Sequence, residues 1–236
     1  MDLLQEIYEH LSSIKNTFTL FITVVNEEDI DKVNEFFLEH PHSFEIKVLK
    51  VENRGRDIYP FYQALHDCYM NYDIIAHFHS KKSLHTDFGN IWRRYLYGNL
   101  LGYKCLFDNI IQLFVNNSAA GFVTTPVVPN KAITKAYFAF VENTVSSKDL
   151  IEQALNKFGV PLETLYSQEK NMDFPCGNMF IARTDSIKQF FSTKLSKSDF
   201  PDEKGQTAGT LQHYVELMWK YMVNYNGYEY IEVRKK

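Results

Sequence analysis

Two short polar clusters carry residue types that bind anionic ligands. One is NRGRD, residues 53–57, and the other is HSKKS, residues 79–83. Arginine forks and lysine ammonium groups hold phosphate, a carboxylate holds sugar or ribose hydroxyls, and the glycine allows a tight turn. We therefore predict a phosphate- and sugar-binding site that contains Arg56, Asp57, Lys81 and Lys82. Taken singly, each cluster also fits a plainer alternative, a surface turn with an Arg/Asp ion pair or a solvated lysine loop.

The elements around these clusters are predicted to bring both to one edge of a parallel sheet. Apolar runs at residues 17–25, 44–51 and 73–79 are typical of strands, and the segments between them have the apolar spacing of helices. Ligands of open α/β sheets bind outside the carboxyl ends of the strands. We expect the first run to be a central strand buried on both faces and the last to be the third parallel strand. Neither a GxGxxG fingerprint nor a Walker A loop is present.

Composition excludes several classes of function. A net charge of −4 argues against general nucleic-acid binding, which needs broad neutralisation of phosphates. Three widely spaced cysteines without a CxxC pattern indicate neither a disulfide framework nor a structural zinc site, which favours the cytoplasm. The N-terminus lacks the features of a secretory signal, and no apolar run approaches the roughly 20 residues that span a bilayer. We therefore expect any contact with the inner face of a membrane to be peripheral.

Five blocks of sequence occur in an order that resembles the rhamnan synthesis protein F family of bacterial polysaccharide glycosyltransferases. They are NRGRDIYPF, HSKKS, IWRRYLYGNLLG, PCGNMFIAR and FPDEKGQTAGTLQHYVE. The resemblance implies transfer of a sugar, rhamnose in the type case, from a nucleotide donor such as dTDP-rhamnose to a growing polysaccharide or lipid-linked glycan. It also implies donor-binding residues, namely Asn53, Arg56, Asp57, His79, Lys81 and Lys82. Further residues are implied to shape the acceptor side of the site, namely Trp92, Arg93, Gly177, Met179 and Arg183.

Together these features predict one α/β domain of the nucleotide-diphospho-sugar transferase (GT-A-like) type. We expect a mostly parallel central sheet with flanking helices. An amphipathic helix at residues 1–16 precedes the glycosyltransferase-like domain at residues 17–236. Within that domain, residues 17–83 form the nucleotide-binding half and residues 84–236 the acceptor and catalytic half.

Metal binding is not strongly indicated. Transferases of this type usually place paired aspartates at a strand end to hold Mg²⁺ or Mn²⁺, but this chain has His77 and His79 at the matching place. We expect the two histidines to point to opposite faces of their strand, which disfavours a site built from both. Neutralisation of the diphosphate by Arg56, Lys81 and Lys82 is the preferred interpretation, with a divalent metal as the alternative.

An inverting transfer needs a base that deprotonates the acceptor hydroxyl. The acidic loop and the helix near the C-terminus supply Glu203, His213 and Glu216 as candidates. His213 and Glu216 are three residues apart and share a helix face, so the glutamate can orient the histidine. The alternative for this pair is an exposed structural contact.

The chain departs from the family pattern at Ala208, where an aspartate is expected, and at His77, Ile181 and Leu217. If that aspartate binds the donor or acts as the base, Glu203 or Glu216 must substitute for it. Otherwise the chain is a catalytically inactive module that binds a sugar nucleotide, a glycan or a partner transferase.

Overall fold

The computed structural model describes most of the chain, but not Lys81 and Lys82, which lie outside the described residues. The described residues are 2–80, 88–102, 105–127, 134–135, 148–161, 174–175, 177–206 and 208–234.

Helices and strands alternate through the described residues. The helices are α1 (Asp2–Leu11), α2 (Glu27–Glu39), α3 (Ile58–Leu65), α4 (Phe88–Leu100), α5 (Leu106–Asn116), α6 (Lys148–Lys157), α7 (Lys188–Ser192) and α8 (Leu211–Tyr225). The strands are β1 (Thr19–Val24), β2 (Glu45–Lys50), β3 (Ile74–His77), β4 (Ala120–Thr124), β5 (Phe180–Arg183) and β6 (Glu229–Glu232). None of these helices is long and apolar enough to cross a bilayer.

Helix α2 illustrates how local sequence sets an element. Three acidic residues occupy its first turn, where the positive end of the helix dipole favours negative charge. Val33, Phe36 and Phe37 recur at helical spacing and are buried on the inner side. The helix therefore has one apolar stripe, which packs on β1 and β2.

The described strands form two sheets, one parallel and one of mixed direction. One sheet is the parallel pair β1–β2, and the other has the order β3-β5-β4-β6. Strand β5 runs antiparallel to both β3 and β4, whereas β4 and β6 are parallel. The α/β prediction is confirmed, but the expectation of a mostly parallel central sheet is wrong. The physical reason is that β5 inserts between β3 and β4 and pairs with both.

Strand β1 is not the doubly buried central strand that its apolar sequence predicted. All six of its residues are only half-buried, and among the described strands it pairs with β2 alone. Strand β3 likewise pairs with β5 and not with β1, so it is not the third strand of a parallel run. A cleft between β1 and β3 separates the two sheets.

The four-stranded sheet carries apolar side chains on both faces. Phe180 and Ala182 of β5 belong to a core shared with α3, α6, α7 and α8. Residues Met179 and Ile181 alternate with them and belong to a second core shared with α1, α2, α4 and α5. The sheet is therefore sandwiched between two helical layers.

Phe180 provides a test of this packing. It has no exposed surface, and its ring centroid lies 4.5 Å from that of Phe122 and 5.0 Å from that of Trp219. We expect Phe180→Ala to lower the free energy of unfolding by about 3–5 kcal/mol in urea titrations, because it leaves a cavity. Leu38→Ala is the control, since Leu38 is 87% exposed and should change stability by less than about 0.5 kcal/mol. Equal effects of both substitutions would contradict the assignment of Phe180 to the core.

Candidate functional site

The NRGRD cluster forms a left-handed turn between β2 and α3. Gly55 and Arg56 have φ angles of 64° and 55°. A Cβ at Gly55 would lie 2.6 Å from the ring of Phe200, so both the backbone and the available space require glycine. Arg56 adopts the same region without that freedom, at a cost of about 1–3 kcal/mol, and such residues cluster at functional sites.

The acidic loop packs against this turn. Arg54 forms a β-bridge and an ion pair with Asp202, and its Nη1 donates to the carbonyl of Phe200 at 2.9 Å. The main-chain N–H of Arg56 donates to the carboxylate of Glu203 at 3.0 Å. The turn therefore already binds an anionic oxygen through its backbone, as anion-binding turns do.

The two histidines at the end of β3 both contact the turn that contains Gly177 and Asn178. His77 Nδ1 donates to the carbonyl of Asn178 at 2.8 Å, and His79 Nε2 donates to the carbonyl of Gly177 at 2.7 Å. Their Nε2 atoms lie 3.9 Å and 3.8 Å from Oδ2 of Asp57. The expectation that they point to opposite faces is wrong, because residues two apart in a strand share a face.

Asn178 links this strand end to the NRGRD turn. Its Nδ2 donates to Oδ2 of Asp57 at 2.5 Å, and its Oδ1 accepts from Nε1 of Trp219 at 2.7 Å. Sequence reasoning did not select Asn178, His77 or Trp219 as site residues. A Gly-Asn pair favours left-handed turns, and Gly177 and Asn178 have φ angles of 80° and 55°, so this pair was the available signal.

Seven of the twelve predicted site residues that the structure describes line one cleft of about 1560 Å³. Those that line it are Asn53, Arg56, Asp57, His79, Trp92, Gly177 and Glu216. Polar groups that follow β2 and β3 thus lie in the same cleft, as predicted from the position of the two clusters after the apolar runs. Apolar residues of β1 and β3 also line this cleft.

The three candidate bases occupy different positions around Arg56. The carboxylate of Glu216 lies 3.9 Å from the Arg56 guanidinium, and its side chain is 12% exposed. Glu203 contacts the main chain of Arg56, as described above. His213 has no exposed surface, and its Nδ1 shares a hydrogen bond of 2.6 Å with the hydroxyl of Thr210. Of these three, Glu216 lines the cleft.

Three residues chosen to shape the acceptor side have structural contacts. Arg93 is buried and forms an ion pair with Glu6 at 2.7 Å, so it joins α4 to α1. Met179 is fully buried in the core, and its carbonyl accepts from the hydroxyl of Thr124. Arg183 ends β5 far from residues 177–178 and donates to the carbonyls of Ala120 and Phe114. The structure therefore does not bring Arg183 to the cleft.

Burial keeps two histidines of the site neutral. Burial lowers the pKa of His77 from 6.5 to about 4, although Asp57 opposes the shift. Burial, reinforced by the positive charge of Arg56, likewise lowers the pKa of His213 to about 4. Tyr97, whose hydroxyl donates to the carbonyl of His79, has its pKa raised by burial to about 12. These groups therefore remain uncharged near neutral pH.

The described residues do not fit a Mg²⁺ or Mn²⁺ site. Such hard cations take several oxygen ligands in near-octahedral geometry. Among the described residues, no three His, Cys, Asp or Glu side chains are grouped so that they could hold a metal ion. We therefore assign no step of any reaction to a metal.

The neutral histidines predict how stability depends on pH. Since His77 and His213 titrate near 4 in the folded chain and near 6.5 when unfolded, the unfolded state binds more protons between these values. Stability should be complete above pH 6.5 and fall on acidification, by about 1.4 kcal/mol per pH unit for each histidine. Urea titrations from pH 5 to 6.5 would measure this slope. The substitution His213→Gln should reduce the slope by about 1.4 kcal/mol per pH unit, because one titrating group is removed. Equal slopes for both proteins would contradict the assigned burial of His213.

Comparisons with known proteins find relatives along the whole chain. The chain is 27% identical over 237 aligned residues to "Uncharacterized protein WxcX" of Xanthomonas campestris pv. campestris strain B100, and equally to the protein of that name from a second strain. All of this chain is covered, but it spans only 32% of the length of these relatives. No solved structure matches the chain significantly. The sequence model for rhamnan synthesis protein F matches residues 1–228, and the chain therefore belongs to the rhamnan synthesis protein F family, whose name indicates a role in polysaccharide synthesis.

Proposed function

We propose that this chain is a glycosyltransferase unit, which moves a sugar from a nucleotide-diphosphate donor to a growing cell-surface polysaccharide. The observation that carries the proposal is the convergence of Arg56, Asp57 and His79 at the cleft. A cation, a carboxylate and an imidazole within one cleft match the phosphates and hydroxyls of a nucleotide sugar. Family membership favours L-rhamnose, and hence dTDP-rhamnose, as the donor.

The diphosphate belongs at Arg56 in this proposal. Its backbone N–H binds a carboxylate oxygen of Glu203 at 3.0 Å, and its guanidinium faces Glu216. Phosphate oxygens can replace such carboxylate oxygens because both are anionic acceptors. Lys81 and Lys82 follow Ser80, which lines the cleft, and would add positive charge there.

The sugar and the nucleoside belong beside the phosphates. Asp57 and Asn53 line the cleft and offer acceptors for sugar or ribose hydroxyls. Trp92 and Tyr72 also line it and provide aromatic faces on which a sugar or a base can pack. The acceptor, a polysaccharide or lipid-linked glycan, would approach from the side of Trp92. In this scheme the chain acts in the cytoplasm, at the inner face of the membrane where such acceptors are extended.

Glu216 is the preferred base for the acceptor hydroxyl. It is the candidate that lines the cleft, and its carboxylate lies within 4 Å of the cation assigned to the diphosphate. A carboxylate that lines the cleft can accept the proton of the acceptor hydroxyl. His213 is fully buried and Glu203 contacts the backbone, so both rank behind it.

A second function is favoured by one position. Ala208 stands where the family pattern has an aspartate, in the loop before α8. If that carboxylate is essential, the chain binds a sugar nucleotide or glycan without turnover and serves as a scaffold in polysaccharide assembly. The relatives are about three times longer than this chain, so another part of such a protein would then perform the transfer.

Isothermal titration calorimetry with dTDP-rhamnose, dTDP, UDP-glucose and GDP-mannose, with Mg²⁺ or EDTA, tests donor binding. We expect selective binding, weakened about 10- to 100-fold by Arg56→Ala, since charge-assisted hydrogen bonds contribute about 1.5–3 kcal/mol. Arg94→Ala is the matched control, because Arg94 is an exposed arginine outside the cleft. A folded protein that binds none of these compounds would defeat the proposal.

Glu216→Gln separates the two functions. The substitution removes the base but keeps the shape of the side chain, so we expect donor affinity to change little. Turnover, followed by release of the nucleoside diphosphate in the presence of an acceptor glycan, should fall by about 10²- to 10⁴-fold. Donor binding without turnover in the wild-type chain, together with activity gained by Ala208→Asp, would favour the inactive scaffold.

A further inference from the structure

Asn178 joins three elements of the site through hydrogen bonds. Its N–H donates to the carbonyl of Pro175 and its own carbonyl accepts from His77, both at 2.8 Å. Its side-chain amide donates to Asp57 and accepts from Trp219. With 1% of its surface exposed, Asn178 is enclosed between the core and the cleft. All of its polar groups are thus engaged in holding neighbouring elements together.

The chemistry of its partners determines the orientation of this amide. The indole nitrogen of Trp219 is only a donor, so it must face the amide oxygen, and the NH₂ group must then face the Asp57 carboxylate. Trp219 is itself fixed, because it has no exposed surface and packs against Phe180 and Phe190 at centroid distances of 5.0 and 5.1 Å. The core of the protein therefore sets the direction of the hydrogen bond that Asp57 receives.

The main chain at Asn178 is fixed as well. Gly177 and Asn178 both have positive φ, a region that glycine and asparagine tolerate better than other residues. Their carbonyls accept hydrogen bonds from His79 and His77, respectively. Both histidines belong to the end of β3, so the amide is anchored to the sheet and to α8 at once.

We propose that Asn178 is a positioning residue, which holds the Asp57 carboxylate in the orientation that receives a hydroxyl group of the bound nucleotide sugar. The inference rests on the proposed function, in which Asp57 contacts sugar or ribose hydroxyls. The hydrogen bond from Asn178 already restricts the rotation of the Asp57 carboxylate. The carboxylate therefore loses less rotational freedom when a ligand binds, and more of the hydrogen-bond energy contributes to affinity.

Asn178→Asp tests the proposal in the intact chain. Aspartate has the same shape and tolerates positive φ, but it would place a second carboxylate where the amide now lies 2.5 Å from Asp57. Two carboxylates so close repel each other when both are ionised and bind one proton between them on acidification. At pH 8 we expect the affinity for dTDP-rhamnose to fall at least about 10-fold, since a hydrogen bond to a charged group is lost. The ratio of wild-type to variant affinity should shrink towards pH 5, where the shared proton restores a donor to Asp57.

The charge swap Asp57→Asn with Asn178→Asp is the second variant. It restores one amide and one carboxylate across the same gap, so we expect the melting temperature lost in Asn178→Asp to be largely recovered. Affinity for dTDP-rhamnose should not recover, because the carboxylate now lies on the wrong side of the pair.

The outcomes separate this inference from the proposed function. Wild-type protein that binds no nucleotide sugar overturns the proposed function and the inference with it. Wild-type protein that binds dTDP-rhamnose, together with Asn178→Asp protein that binds it equally well at pH 8, overturns the positioning role alone. Recovery of both affinity and melting temperature in the charge swap also overturns it, because either position would then serve.

Discussion

The pairing of β5 with two neighbours is the constraint on which the rest of this structure depends. All four of its residues pair with β3 on one side, and Ile181 and Ala182 also pair with β4 on the other. Three of the four are completely buried. Among the described strands, β3 pairs with β5 alone, so β5 joins it to the rest of the sheet. The strand also begins directly after the turn that carries Gly177 and Asn178, so the core that anchors β5 anchors one wall of the cleft.

Two turns with unfavourable backbone conformations supply hydrogen-bonding groups to the cleft. Arg56 and Asn178 have positive φ, and each lies in a turn next to a glycine. Both turns are backed by large buried rings, Phe200 behind the first and Trp219 behind the second. The unfavourable backbone conformations are thus compensated by packing, and the polar atoms they present are held in fixed directions.

Sequence reasoning predicted the part of the site that strand ends determine. Asp57 and His79 follow apolar runs separated by a helix, and they lie close together because the ends of β2 and β3 meet. It could not predict the direction of β5, because a short run of buried apolar residues has the same pattern in either direction. Arg183 was selected from the family resemblance, and in the structure it lies at the end of β5 opposite to Gly177 and Asn178. Asn178 was overlooked because its importance comes from partners distant in sequence.

The separation between β1 and β3 has a consequence for how the site is held together. The NRGRD turn extends from a two-stranded sheet, and two-stranded units are marginally stable without further packing. His77, His79 and Asn178 lie at the end of the other sheet. The hydrogen bond between Asp57 and Asn178 therefore links the two sheets. A ligand that contacts both Arg56 and His79 would be a second link between the two sheets, in addition to this hydrogen bond. Ligand binding would then stabilise the contact between the two sheets, and by the same coupling a more stable contact would raise the affinity for the ligand.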